Sequence, residues 1–238
     1  MVRERIQDRG AVRIDDLAAD FGVSEMTIRR DLDELEVLGE ARRVRGGALA
    51  MGPEHFFQRH RHHARAKTRI AEKLMTLVPA SGTLALDAST TVHRLAVAID
   101  GARDLTIVTN GPDAFGAATG KPGVTALLTG GTREPRTDSL VGPVAARTAQ
   151  SFTYDILVCS GAALDPVLGS SEASLAEADV KRAFGSTSTR IVLAADRSKL
   201  GTKAQARMFS LSEVDLLVTE LDPEDPRLDG YRGAVDIA

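Results

Sequence analysis

The chain has 238 residues, of which 43% are hydrophobic and 26% charged, a profile that excludes intrinsic disorder and suits one large domain or a small one with a medium one. No apolar run approaches the roughly 18 residues of a membrane span, and Met1 leads straight into Val-Arg-Glu-Arg with no signal peptide, so a cytoplasmic protein is expected. The single cysteine, Cys159, excludes an internal disulfide framework and any cysteine-rich zinc module. The net charge of −3 is unevenly divided: residues 1–70 carry 14 basic and 12 acidic side chains, residues 71–238 carry 16 and 21. From Val37 to Ile70 there are 8 basic residues and 2 acidic ones, a stripe that suits a polyanion partner or a solvated linker.

The first fifty residues read as short helices with tight turns. Residues 15–20 place Leu17, Ala18 and Phe21 at helical spacing, and Gly22 stops them. Ser24 is a good N-cap for a second helix, with Ile28, Leu32 and Leu35 at i, i+4 and i+7 and an end near Gly39. That stripe buries one face and turns Met26, Thr27, Arg30, Asp33 and Glu34 outward, with Arg29 on the flank. Two helices joined by Phe-Gly-Val make a helix-turn-helix pattern, and the basic strand 42–45 meeting Gly46-Gly47 predicts a wing hairpin.

Residues 52–66, with Gly52, Pro53 and the run His60-Arg61-His62-His63, lack an apolar period and read as a linker. A helix starts near Lys67 with Ile70, Leu74 and Leu77, and Pro79 lies beyond its end. Beyond it the pattern alternates. Strands are predicted at 83–86, 105–109, 124–128, 155–159, 190–195 and 216–218, and helices at 91–99, 112–118, 144–150 and 174–184. Continuous apolar strands such as Ile156-Leu157-Val158 fit a sheet covered on both faces, hence an α/β domain with a mostly parallel sheet.

The run Val23-Ser24-x-x-Thr27-Ile28-Arg29-Arg30-Asp31-Leu32, continued by Leu35, Gly39, Arg43 and Gly46-Gly47-Ala48, resembles the DeoR family of bacterial transcription regulators. The blocks Asp87-Ala88-Ser89-Thr90-Thr91, Thr109-Asn110-Gly111, Gly130-Gly131, 138–142, 177–182 and 196–199 resemble the sensor domain of the same family, which is related to ribose-phosphate isomerases. The resemblance implies a winged helix-turn-helix over 1–51, a linker over 52–66 and an effector-sensing α/β domain over 67–238. The first helix departs from the family in length: about nine residues precede Gly10-Ala11-Val12, and Val2 and Ile6 supply one turn against the core.

A recognition helix meets base edges through its N-terminal residues. Ser24, Glu25, Thr27, Arg29 and Arg30 stand at that end, and Arg42, Arg43 and Arg45 of the wing suit phosphates or the minor groove. In the second part an apolar strand leads through Asp-Ala-Ser-Thr-Thr into a helix. Hydroxyls and amides at such a helix start make an anion cradle, so Ser89, Thr90 and Thr91 are phosphate candidates, with simple capping as the alternative. Asn110 and Gly111 end the next strand at the same edge. Lys181 and Lys199 are candidate partners for phosphate or hydroxyl groups, or else surface lysines. Asp87 and Gly130 join this effector set through the family blocks.

The expected function is a repressor of a carbohydrate-use operon, released from operator DNA by a phosphorylated sugar or sugar alcohol. A homodimer or homotetramer is expected, since a single reader needs a second half-site, with no membrane partner and no cofactor. The alternative is a sugar-phosphate isomerase-like enzyme. Asp155 begins the strand concerned, yet Ser160-Gly161-Ala162-Ala163 at its end supplies no carboxylate for proton transfer, so catalysis is not expected. His55, His60, His62 and His63 read as solvated linker histidines in preference to a metal site, and Cys159 as a buried structural thiol. Gly130-Gly131 lacks the spacing of a phosphate-loop or dinucleotide fingerprint.

Overall fold

The computed structural model describes residues 1–38, 40–50 and 56–238. The expected helix end at Gly39 and the linker residues Gly52, Pro53 and His55 lie outside the described residues. The chain forms two compact units, Met1–Arg59 and His60–Ala238.

The first unit runs α1 (Val2–Arg9), β1 (Ala11–Arg13), α2 (Ile14–Phe21), α3 (Glu25–Val37), β2 (Ala41–Val44) and β3 (Gly47–Ala50). Its strands form an antiparallel sheet in the order β1-β3-β2, and β2 with β3 is the expected wing. α2 stops at Gly22, whose left-handed backbone closes its amide on the Ala18 carbonyl. Ser24 then caps α3, its hydroxyl accepting the Thr27 amide at 3.2 Å. Ile28, Leu32 and Leu35 bury one face of α3 against Val2, Ile6, Ile14 and Leu17. α1 spans two turns, so Val2 and Ile6 both reach that core. Gly47 is required by close approach: a Cβ there would stand 2.0 Å from the Val12 carbonyl oxygen.

In the stretch read as a linker, the described residues are largely helical: α4 (Phe56–Arg61) precedes α5 (Ala64–Met75), which starts before Lys67. The first turn of α5 carries no large apolar side chain, and the helix buries Lys67 as well as Ile70 and Leu74, so hydrophobic periodicity could not mark its start. The remaining elements are β4 (Ser81–Leu86), α6 (Thr90–Ala98), β5 (Asp104–Thr109), α7 (Pro112–Ala118), β6 (Val124–Leu128), β7 (Thr132–Arg133), β8 (Leu140–Val141) and α8 (Pro143–Gln150). They continue with β9 (Ile156–Ser160), β10 (Ala163–Asp165), β11 (Gly169–Glu172), α9 (Leu175–Gly185), β12 (Ile191–Ala194), β13 (Ala206–Arg207), β14 (Leu216–Val218) and β15 (Asp236–Ile237).

Seven strands form one sheet in the order β15-β14-β12-β9-β4-β5-β6, with every pairing parallel. Its two faces are buried by different helices. Leu84, Leu86 and Val158 pack with Ile70 and Leu74 of α5 and Val92 and Leu95 of α6. Ala85, Leu157 and Cys159 pack with Ala145 of α8 and Val180 and Phe184 of α9. Consecutive residues thus bury on opposite faces, which is why these strands read as continuous apolar runs. Each wholly buried leucine contributes roughly 1.5–3 kcal/mol. A small sheet β10-β11-β13 and a ribbon β7-β8 add antiparallel pairs that the sequence did not announce.

The strand order decides where a ligand fits. β4 comes first in the chain, and later strands flank it on both sides, β5 on one and β9 on the other. The winding direction reverses there, which opens a crevice beyond the carboxyl ends of β4 and β9.

Candidate functional site

The outward face of α3 is accessible: Ser24, Glu25, Met26, Thr27, Arg29 and Arg30 are all exposed. Arg29 pairs with Glu25 one turn away at 3.2 Å. On the wing, Arg42 and Arg45 are exposed, but Arg43 is not presented as they are. Its guanidinium donates to the Arg29 carbonyl at 3.0 Å and to Asp33 at 2.9 Å, and its amide donates to Glu36 at 2.8 Å. Arg43 therefore ties the wing to α3. This amends its placement among the nucleic-acid contacts: Nη1 is engaged by α3, so the partly exposed guanidinium has only Nε and Nη2 to offer a phosphate.

At the crevice of the second unit, Asp87 is wholly buried just after β4. Its carboxylate accepts the Ser89 amide at 2.9 Å, the Ser160 amide at 2.9 Å and the Lys181 ammonium at 2.9 Å. Burial works against its charge, but Lys181 and these hydrogen bonds outweigh burial and hold the carboxyl below its ordinary range. Lys181, reaching in from α9, also meets Glu172 of β11 at 2.5 Å and the Ser160 carbonyl at 2.7 Å. Burial would lower the ammonium's pKa; Asp87, Glu172 and Glu177 more than reverse that and raise it. Three acceptors occupy its three hydrogens. Lys181 is accordingly a correction as well: it neutralises buried carboxylates and has no hydrogen left for a phosphate.

The start of α6 is buried too, but it holds donors without a partner among the described residues. Ser89 caps it, accepting the Val92 amide at 3.2 Å, while the amides of Thr90 and Thr91 meet no acceptor among the described residues. Asn110, after β5, is wholly buried. Its Nδ2 donates to the Leu140 carbonyl at 3.1 Å and its backbone carbonyl accepts the Leu140 amide at 2.8 Å, yet its Oδ1 has no donor among the described residues. Gly111 lets the two strand-end loops touch, because a Cβ there would come within 2.8 Å of Ala88 Cα. Lys199 donates to the Ser160 hydroxyl at 2.8 Å and to the Gly161 carbonyl.

Asp87, Ser89, Thr90, Thr91, Asn110, Gly111, Lys181 and Lys199 thus gather at the ends of β4, β5 and β9. Gly130 follows β6, one strand further along the same edge.

The sequence matches the DeoR-like helix-turn-helix domain over residues 2–53 and the DeoR C terminal sensor domain over residues 62–221. The chain belongs to the DeoR family. It is a DNA-binding transcriptional regulator. Over 92% of its length it is 30% identical to the uncharacterized HTH-type transcriptional regulator YulB of Bacillus subtilis, covering 87% of that protein. It is 31% identical to the glycerol-3-phosphate regulon repressor of Escherichia coli over 92% of this chain and 88% of that one. Ribose 5-phosphate isomerase from Plasmodium falciparum is similar at 18% identity and a TM-score of 0.39, over 56% of this chain and 51% of that one.

Sequence reasoning missed several groups that shape the sensor site of this DeoR-family regulator. Glu172 lies on β11, a strand without apolar alternation, and nothing near it in sequence announces Lys181 as its partner. Glu177, one helical turn before Lys181, accepts from Thr137 at 2.5 Å and from Ser139, and so holds the β7-β8 ribbon against α9. The i, i+4 spacing of Glu177 and Lys181 was the available signal.

His60 is also misread as solvated. It is half-buried against His93 of α6, ring centroids 5.3 Å apart, and its carbonyl accepts from Arg94 at 2.9 Å. Burial and the neighbouring Arg94 lower its pKa. Among the described residues no three His, Cys, Asp or Glu side chains stand together as metal ligands. Cys159 is buried within β9, and burial pushes its thiol pKa up. No described helix is long and apolar enough to cross a membrane.

Proposed function

We propose that this DeoR-family regulator represses a carbohydrate-use operon and leaves its operator when a phosphorylated sugar or sugar alcohol binds at the carboxyl edge of the seven-stranded sheet. The observation that carries the effector reading is the buried, donorless Oδ1 of Asn110. An unmade buried hydrogen bond costs about 1–3 kcal/mol, so the position favours a ligand that brings a hydroxyl donor. The amides of Thr90 and Thr91, buried and without an acceptor among the described residues, receive the anionic end of the same ligand, as a helix start does. The name of the Escherichia coli relative, a glycerol-3-phosphate regulon repressor, agrees with a phosphorylated polyol and with repression.

Residues 1–51 read DNA in this account, and residues 67–238 sense the effector. Ser24, Glu25, Thr27, Arg29 and Arg30 face the major groove, Arg42 and Arg45 meet phosphates, and Arg43 braces the wing. Lys199 completes the effector site by exchanging its Ser160 contact for the ligand, and Lys181 positions Asp87. The crevice binds without turnover, because its carboxylates Asp87 and Glu172 are both engaged by Lys181. A homodimer or homotetramer in the cytoplasm, built through the sensor unit, supplies the second half-site. The effector acts by its differential affinity for two arrangements of the reader, so DNA and effector oppose each other reciprocally.

The test is fluorescence anisotropy of the protein on DNA from its own upstream region, against unrelated DNA, with a panel of sugar phosphates. Specific binding released by one compound is expected. Specific binding that no phosphorylated sugar or polyol releases would remove the effector reading and leave the regulator.

A further inference from the structure

The core residues Ile28, Leu32 and Leu35 define one side of α3. At about 100° per residue, Met26 and Arg30 both fall within about 30° of the opposite pole, which makes them the crest of the helix. Met26 is 73% exposed and occupies the second helical position, in the turn that meets base edges in helix-turn-helix proteins. Its neighbours there are engaged locally. The Ser24 and Thr27 hydroxyls bond each other at 3.0 Å, and Arg29 pairs with Glu25. The crest therefore presents one forked cation and one flexible thioether.

On base edges in the major groove the apolar group is the thymine C5-methyl. We propose that Met26 reads a thymine methyl in each operator half-site, so that specificity comes from an apolar contact beside the arginine contact. The i, i+4 spacing puts Met26 and Arg30 about 6 Å apart, so the thymine lies within about two base-pair steps of the base that Arg30 meets. This rests on α3 entering the major groove.

The probe is a duplex obtained by selecting the full-length protein's tightest binders from a randomised DNA library. Each thymine in it is then replaced singly by deoxyuridine, which removes only the methyl. Wild type is expected to lose about fourfold in affinity at one thymine per half-site, the effect of burying one methyl group. Met26→Ala is expected to bind the thymine and uracil duplexes equally, and Met26→Leu to restore the difference. Should Met26→Ala fail to fold, Met26→Gln, of similar length and polar, gives the same comparison. Wild type indifferent to every thymine-to-uracil change would overturn the proposal, and so would Met26→Ala or Met26→Gln retaining the wild-type difference. A library from which nothing is enriched would remove the DNA-binding reading itself and the proposal with it.

Discussion

Replacing Lys181 by methionine keeps the stem and removes the charge between Asp87 and Glu172. At the 2.9 Å separation from Asp87 and an effective dielectric of about 20, the lost attraction is about 6 kcal/mol. The folded variant has a cheaper route, which is to take up a proton on one of the carboxyls. Protonating an aspartate at neutral pH costs about 1.4 kcal/mol per unit above its ordinary pKa of roughly 3.9, or about 4 kcal/mol. The expected loss of stability is therefore about 4 kcal/mol, within the range of about 3–5 for a broken buried pair.

The sign of the pH dependence is diagnostic. In wild type the lowered pKa of Asp87 contributes stability above its unfolded value, lost only as pH falls through the folded one. The variant's folded state holds a proton that its unfolded state releases. Its stability must fall by about 1.4 kcal/mol for each unit of rising pH through the neutral range. Urea unfolding read by tyrosine measures this in the sensor unit alone, since the chain has no tryptophan and both tyrosines, Tyr154 and Tyr231, are buried there. A variant with near-wild-type stability, or one whose stability is flat or rises with pH, would refute the reasoning.

The wing should separate into two behaviours. Arg42→Ala and Arg45→Ala are expected to reduce the salt slope of operator binding by about one each with unchanged stability, whereas Arg43→Ala costs roughly 1–2 kcal/mol of stability in denaturant melts. Arg30→Ala should weaken operator binding by about 1–3 kcal/mol in anisotropy titrations while calorimetry shows effector binding intact. Asn110→Leu removes the unmet acceptor and is expected to abolish the effector response without loss of operator affinity, checked in the same anisotropy assay. Gly111→Ala forces a Cβ to 2.8 Å from Ala88 Cα and should destabilise the sensor unit by roughly 1–3 kcal/mol in urea.

What could be read along the chain was local. Gly22, Ser24 and the Ile28, Leu32, Leu35 stripe fix the helix-turn-helix, because a cap and a period of 3.6 are short-range signals. Six of the seven strands of the large sheet, β4, β5, β6, β9, β12 and β14, show as apolar runs for the same reason. β15, with two residues, and the small sheet around β11 lack such runs and exist through partners distant in sequence. Arg43 and Lys181 were assigned ligands because their charge is visible in sequence and their partners are not. Asp33 lies ten residues from Arg43, and Asp87, just after β4, lies 94 residues before Lys181 of α9. That Asn110 stands at a strand end on the edge of the sheet was legible, whereas its unmet acceptor is a fact of packing.

The central place of β4 has a kinetic consequence. The run from β4 through β6 pairs in sequence order, with short crossings, so those strands can associate as soon as they are made. Asp87 then waits for Ser160, Lys181 and Lys199, whose contacts close much longer loops. The crevice at Asp87 is thus expected to assemble after β4, β5 and β6 have paired, outside the part of the sheet that forms early. Damage to it, Lys181→Met included, should appear chiefly as faster unfolding and leave the folding rate almost untouched.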